Sequence, residues 1–417
     1  MSKTKIITFL GKYASPTTYS YKDKLYVGKV FAEALRQFCE YDTMLVCVTQ
    51  EAKETTWPVL EALQDPRIQA VDIPTGRTTE EMWETFKTIT QYVDEGDFVI
   101  FDITHGLRSL PFLVFLFAAY LKAAKNVTIK AIYYGALELS DRNSNLPAPV
   151  IDLSEFVSMI DWLTATTQFV EMGDGQKLAS LLKSAIPSDV ELRDNPSTRT
   201  IRDGLKKSAA AIEKISLALS ITRPIETMAS AAKLEEILKL AAPSFAERAK
   251  PFSLLTENVV KQYGQFALDE PTDEAALSKN LQLQLQMIKW YIDRNQLVQA
   301  VTLAREWLVS VLALRFSEPM FDLGTGRKYV EAALNNAVEQ NKPHPRPSAP
   351  SRCDEPFAAL SEAGELANVW SQMRELRNDI AHVGMNSHPR EARKLKSQVE
   401  SLYPKLEKLG KVLLPDS

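Results

Sequence analysis

The first 135 residues alternate short, wholly apolar runs with amphipathic stretches, and few folds accept that pattern. Ile6–Leu10, Thr43–Thr49, Ile68–Ile73, Phe98–Ile103 and Val127–Tyr134 read as five strands. Helical patterns separate them at about Tyr26–Glu40, Glu54–Leu63, Thr79–Val93 and Phe112–Lys125, and a tyrosine-rich stretch (Tyr13, Tyr19, Tyr21) reads as a loop. Strands this apolar, joined by helices, predict a parallel sheet covered on both faces.

Ligands of such sheets sit beyond the carboxyl ends of the strands. Those ends read Leu10-Gly11, Thr49-Gln50, Pro74-Thr75-Gly76, Asp102-Ile103-Thr104-His105-Gly106 and Tyr134-Gly135. Four of the five contain glycine, which lets backbone N–H groups approach a ligand closely. After the fourth strand, Arg108 and a helix start with Ser109 as cap and Pro111 in the first turn form an expected anion site. No G-x-x-x-x-G-K-[ST] and no G-x-G-x-x-G after the first strand is present, which argues against a phosphate-loop ATPase and the usual dinucleotide reductases. The plainer reading makes Asp102 the residue that fixes its turn and His105 a hydrogen-bonded loop histidine.

Beyond Pro147-Ala148-Pro149 the sheet pattern stops and helical patterns take over, from Ser154–Phe169 through Ile201–Leu219 to Ala275–Asp293. A chain of 417 residues suggests two or three domains. The expected division is a sheet domain over 1–150, a helical connector over 151–294 and a helical bundle over 295–417. In the last, Leu297–Phe316 and Lys328–Gln340 are helical. Asn341–Pro356, with five prolines, reads as an exposed or disordered loop, and Glu391–Val412 as an amphipathic helix strained at Pro404.

Glu365–Val383 is a further helix, its apolar side formed by Leu366, Val369, Trp370, Met373, Leu376 and Ile380. Gly384 follows, the residue type that closes helices in a left-handed cap. Within this helix Asn378 lies four residues before His382, with Arg377 on the flank, so a guanidinium, an amide and an imidazole meet at the helix end. The unpaired carbonyls there attract positive charge. That set suits a phosphodiester: His382 transfers protons, an effect of ~10²–10⁴-fold in rate. Arg377 stabilises the anionic transition state, and Asn378 orients the histidine or the phosphate. A charged last turn that only caps the helix is the plainer alternative.

A net charge of −4 argues against a basic coat, so any nucleic-acid contact should be local. Cys39, Cys47 and Cys353 show no paired or metal-ligand spacing, and with four histidines a structural zinc site is not expected. The cysteine usage fits a reducing cytoplasm. Met1–Lys5 leads straight into a strand with no secretory signal, and the most apolar run, Phe112–Leu121, is too short to cross a bilayer.

Asp102-Ile103-Thr104-His105-Gly106, ahead of a very apolar helix, resembles the signature of CRISPR-associated proteins named for a D-x-T-H-G motif. Phe9-Leu10-Gly11 and the Ile73-Pro74-Thr75-Gly76 … Trp83-Glu84 pattern resemble that family too. The resemblance covers about the first 150 and last 120 residues and implies an N-terminal CARF domain, a Rossmann-like parallel-sheet sensor of cyclic oligoadenylates. It also implies a C-terminal HEPN ribonuclease, whose R-x-x-x-x-H signature is matched by Arg377–His382. On this resemblance the activator is cyclic tetra-adenylate or cyclic hexa-adenylate. Gly11, Thr49, Thr104, His105, Gly106, Arg108 and Gly135 are expected around it. The substrate is single-stranded RNA, cut without metal by two facing copies of Arg377 and His382 in a homodimer or higher even oligomer. Neither DNA nor membrane is an expected partner. The alternatives are a non-catalytic cyclic-nucleotide sensor, or a sensor that also cleaves its own ligand with Thr104 or Lys12 near the phosphates.

Overall fold

A computed structural model describes residues 2–106, 109–141, 146–346, 349–385 and 389–414. The chain falls into two compact units, Met1–Asp161 and Trp162–Ser417.

The first unit is an eight-stranded sheet. Its strands are β1 (Thr4–Phe9), β2 (Thr17–Tyr21), β3 (Lys24–Gly28), β4 (Thr43–Val48), β5 (Ile68–Asp72), β6 (Phe98–Asp102), β7 (Thr128–Gly135) and β8 (Ala148–Asp152). The order across the sheet is β3-β2-β8-β7-β6-β1-β4-β5. The five expected strands are all present and mutually parallel, with β1 between β4 and β6, the point where the winding reverses. Three further strands correct the expectation of an all-parallel sheet: β8 runs antiparallel to β7, β2 parallel to β8, and β3 antiparallel to β2. The sheet is mixed. The tyrosine-rich stretch is therefore no loop: Tyr19 is buried in β2, and the hairpin turns at Lys22, whose φ of 52° is left-handed. The helix expected from Tyr26 begins only at Phe31. Nor does the sheet stop at Pro149, whose carbonyl accepts from Ala136 N at 2.9 Å although the residue has no N–H to give.

Alternate strand residues feed two cores. Ile6, Met44, Val46 and Val48 bury on one face, and Ile7, Leu45 and Cys47 on the other. Each large aliphatic side chain so buried contributes roughly 1.5–3 kcal/mol. At the amino ends of the strands, Lys5 is 6% exposed and its ammonium bridges Asp94 and Asp97, both at 2.8 Å.

The second unit is helical around a single core that runs from Trp162 to Leu414. The helix Ser154–Met172 contains the boundary between the units. Helices Thr198–Ser220, Pro224–Leu240, Leu277–Asp293, Leu297–Arg315, Lys328–Gln340, Ala363–Ala381 and Ala392–Leu413 form most of the unit. Leu297–Arg315 is the one described helix long and apolar enough to cross a membrane, but 61% of its most apolar window is buried. Its Trp307 donates to Leu281 O at 2.8 Å, as a core residue does. The proline-rich stretch 341–356 is anchored at its far end. Asn336 Nδ2 donates to Ala349 O at 3.0 Å, and Arg352 grips Glu318. Cys353 is 1% exposed and Asp354–Ala358 is helical, so this end is not the open loop that its prolines suggest.

Candidate functional sites

The carboxyl ends of β1, β4, β5 and β6 enclose a cavity of about 360 Å³ in the first unit. Gly11, Thr49 and Gly106 line it, together with Lys12, Tyr13 and Ser109. Thr49 also caps the helix Gln50–Thr55, its hydroxyl accepting from Ala52 N at 3.3 Å. Thr56, buried, donates to the Gly11 carbonyl at 2.8 Å and fixes the turn after β1. A side chain at Gly11 would meet nothing within 4 Å, so that glycine leaves the cavity open rather than relieving a clash. Ser109 sits at the cap of the helix Leu110–Lys125 as expected, but its side chain makes no capping bond. Arg108 lies outside the described residues.

Thr104, His105 and Gly135 are not among the cavity's lining residues; they belong to a polar network at the same strand ends. Asp102 is fully buried and accepts from Thr8 Oγ1 at 2.6 Å and from Thr104 N at 2.7 Å. Thr104 Oγ1 in turn accepts from Gly135 N at 2.7 Å. Three strand ends are thus laced together, and Asp102 fixes its turn as the plainer reading holds. Burial pushes the Asp102 carboxyl up, against the hydrogen bond from Thr8 and the charge of His105. Burial pushes the His105 imidazole down, against the pull of Asp102, and its Nε2 lies 3.4 Å from the Tyr19 hydroxyl. The N–H of Gly135 is engaged by Thr104. A side chain there would press on the rings of Tyr19 and Phe31 at 3.0 and 3.1 Å, so this glycine serves packing. Lys12, expected near the phosphates only in the ligand-cleaving alternative, lines the cavity, and sequence reasoning missed Tyr13 beside it.

The second site lies at the end of the helix Ala363–Ala381. His382 is the C-cap, its N–H donating to Asn378 O at 2.9 Å. The helix stops earlier than expected because the left-handed turn begins at Val383, φ 48°, and continues through Gly384, φ 73°. Gly384 N reaches Asp379 O at 3.3 Å and Met385 N reaches His382 O at 2.7 Å, which satisfies the last carbonyls. Arg377, Asn378 and His382 are all exposed. Arg377 Nη1 lies 3.5 Å from Asn378 Oδ1, a weak contact between neighbours. Arg390 ties the following segment back to the helix through Glu375 at 2.8 Å and Asp379 at 3.4 Å. Among the described residues no group of three or more His, Cys, Asp or Glu side chains is arranged to hold a metal ion.

Between these two sites the chain resembles known proteins. Residues 158–270 match the family described as "CRISPR-associated protein MJ1674, second domain". The CRISPR-associated protein MJ1674 of Methanocaldococcus jannaschii is 31% identical over 112 residues, which is 26% of this chain and 17% of that protein's length. Both findings support a CRISPR-associated family. The family match contains neither the sheet-end cavity nor Arg377–His382.

Proposed function

We propose that this chain is a metal-independent endoribonuclease of CRISPR antiviral defence, switched on by a cyclic oligoadenylate. The observation that carries the reading is the exposed set Arg377, Asn378 and His382 on one helix end, where, among the described residues, the fold makes little use of their side chains. The resemblance of residues 158–270 to a CRISPR-associated protein supports the biological setting.

Cleavage follows from the three groups. The 2′-oxygen of the RNA attacks phosphorus and the P–O5′ bond breaks, leaving a cyclic phosphate and a free 5′-hydroxyl. One imidazole takes the 2′-proton and another gives a proton to the departing oxygen. Arg377 supplies paired N–H donors to the crowded phosphoryl oxygens. A second chain in a two-fold dimer supplies the second His382. The exposed apolar side chains of Val383 and Met385, 76% and 83% exposed beside the histidine, suit burial in such an assembly.

The cavity at the strand ends is the activator site in this reading. At about 360 Å³ it lies near the small end of ligand sites, less than a ring of four or six nucleotides fills. Two copies across a dimer axis suit a two-fold ring. Activation then requires the ring to favour the competent arrangement of the helical units, since only differential affinity shifts a population.

The test incubates the protein with fluorescent single-stranded RNA, with and without cyclic tetra-adenylate and in the presence of a chelator. Activator-dependent cleavage, abolished by His382→Ala, is expected. Cleavage that survives His382→Ala overturns the assigned chemistry.

A further inference from the structure

The helix that ends at His382 carries another guanidinium on its exposed side. Arg374 stands three residues before Arg377 and four before Asn378, so Arg374, Arg377, Asn378, Ala381 and His382 fall along one face. All five are exposed. Arg374 Nη1 donates to Asn335 Oδ1 at 3.1 Å, and the same oxygen accepts from Trp370 Nε1 at 3.0 Å. Trp370 is 1% exposed, so this end of the guanidinium is moored to a fixed part of the core. One of its five N–H donors is thereby engaged, and the fork remains oriented for other acceptors.

Among the described residues no carboxylate forms an ion pair with Arg374 or Arg377. Glu375, next to Arg374 and two residues from Arg377, is held by Arg390 at 2.8 Å, and Asp379, equally near Arg377, meets the same guanidinium at 3.4 Å. Two like charges three residues apart on a helix cost a few tenths of a kcal/mol. The hydrogen bond to Asn335 offsets that cost for Arg374, but Arg377 makes only the weak contact with Asn378 among the described residues, so its charge is not explained by stability. A small residue, Ala381, lies between the arginines and the histidine end of the face and keeps it low. Paired guanidiniums about 5–6 Å apart at Cβ, beside a flat polar face, are suited to successive phosphates of a polyanion.

We propose that Arg374 binds the RNA backbone at the phosphate next to the one that Arg377 and His382 act on. This rests on the ribonuclease reading above. Arg374 therefore governs substrate affinity rather than the chemical step, and Arg374→Ala raises KM while leaving kcat nearly unchanged.

The experiment measures fluorescein-labelled single-stranded RNA binding by anisotropy to the cleavage-inactive His382→Ala protein, with cyclic tetra-adenylate present, across a salt series. Adding Arg374→Ala is expected to weaken binding by roughly tenfold, the scale of one charge-assisted contact. The slope of log affinity against log salt should fall by about 0.7, one single-strand phosphate contact. Arg374→Lys keeps the charge, so it should retain the slope with a smaller loss. Lys411→Ala, which removes an exposed lysine near the other end of the last helix, is the control. Unchanged affinity and slope in Arg374→Ala, or no RNA binding by the parent, overturns the proposal. If the parent binds in an Arg374-dependent way yet the wild-type chain cleaves nothing, the phosphate contact stands and the ribonuclease reading fails.

Discussion

Val383 holds a backbone conformation that suits glycine or asparagine, at φ 48° directly after His382. A β-branched residue there costs on the order of 1–3 kcal/mol. Val383→Asn should therefore raise stability by about 1 kcal/mol, read as a later midpoint in denaturant unfolding; an earlier midpoint would show that the strain is not local. The sequence announces Gly384 as the left-handed residue and hides the fact that the turn starts one position sooner. Nothing in a valine's identity signals a positive φ; only the hydrogen bonds that close the helix do. Asp102 was easier to read. A carboxylate two residues before a threonine N–H, at a strand end, is a common way to fix a turn, and the structure uses it so.

Among the elements, the parallel strands were legible because runs such as Thr43–Val48 are apolar on both faces and need helices on both sides. The hairpin β2–β3 was not. Thr17, Tyr19 and Tyr21 alternate as strand residues do, but Lys22-Asp23 lacks the Asn-Gly or Asp-Gly that marks a two-residue turn. Tyrosines that look like loop residues become core when a neighbouring strand, β8, arrives from more than a hundred residues away. The strand ends opposite the cavity carry a second polar device. Asp97 is pushed up by burial, but the Lys5 ammonium and the Lys3 N–H outweigh this and hold it below the usual carboxylate range. A carboxylate with a depressed folded value stabilises above its unfolded value, about 4, and loses that contribution as pH falls through the folded value. Asp97→Asn should cost ~3 kcal/mol near neutral pH by leaving the Lys5 ammonium with one carboxylate, the exposed Asp94, beside the Tyr92 carbonyl. The gap from wild type should close below about pH 4. Unfolding midpoints taken across an acid pH series check this, and a gap that persists into strong acid would contradict the ion-pair account.

At the scale of the whole molecule, the reading predicts that activity belongs to pairs of chains. Mixing wild type with excess His382→Ala protein should suppress cleavage beyond simple dilution, because most wild-type chains then face an inactive partner. Loss in strict proportion to the wild-type concentration would show that one chain suffices. The change from a sheet to helices was legible where the apolar strand pattern stops, whereas the division into the compact units Met1–Asp161 and Trp162–Ser417 was not, the expected parts being 1–150, 151–294 and 295–417. Periodicity speaks for each element's own surroundings and carries no sign of how one unit would act on the other. The sheet order has one more consequence. From the end of β1 to the start of β2 the chain must pass β6, β7 and β8, roughly 19 Å at the usual strand spacing. Leu10–Pro16 has only about 27 Å of reach for that crossing. The chain therefore crosses over the strand ends as a cord with about 8 Å of slack, and Lys12 and Tyr13 are carried on it. A longer cord would merely sag, whereas one shortened by three residues, with about 17 Å of reach, would have to pull the outer three strands inward, so the length of this cord, more than its composition, limits how far those strands stand from β1.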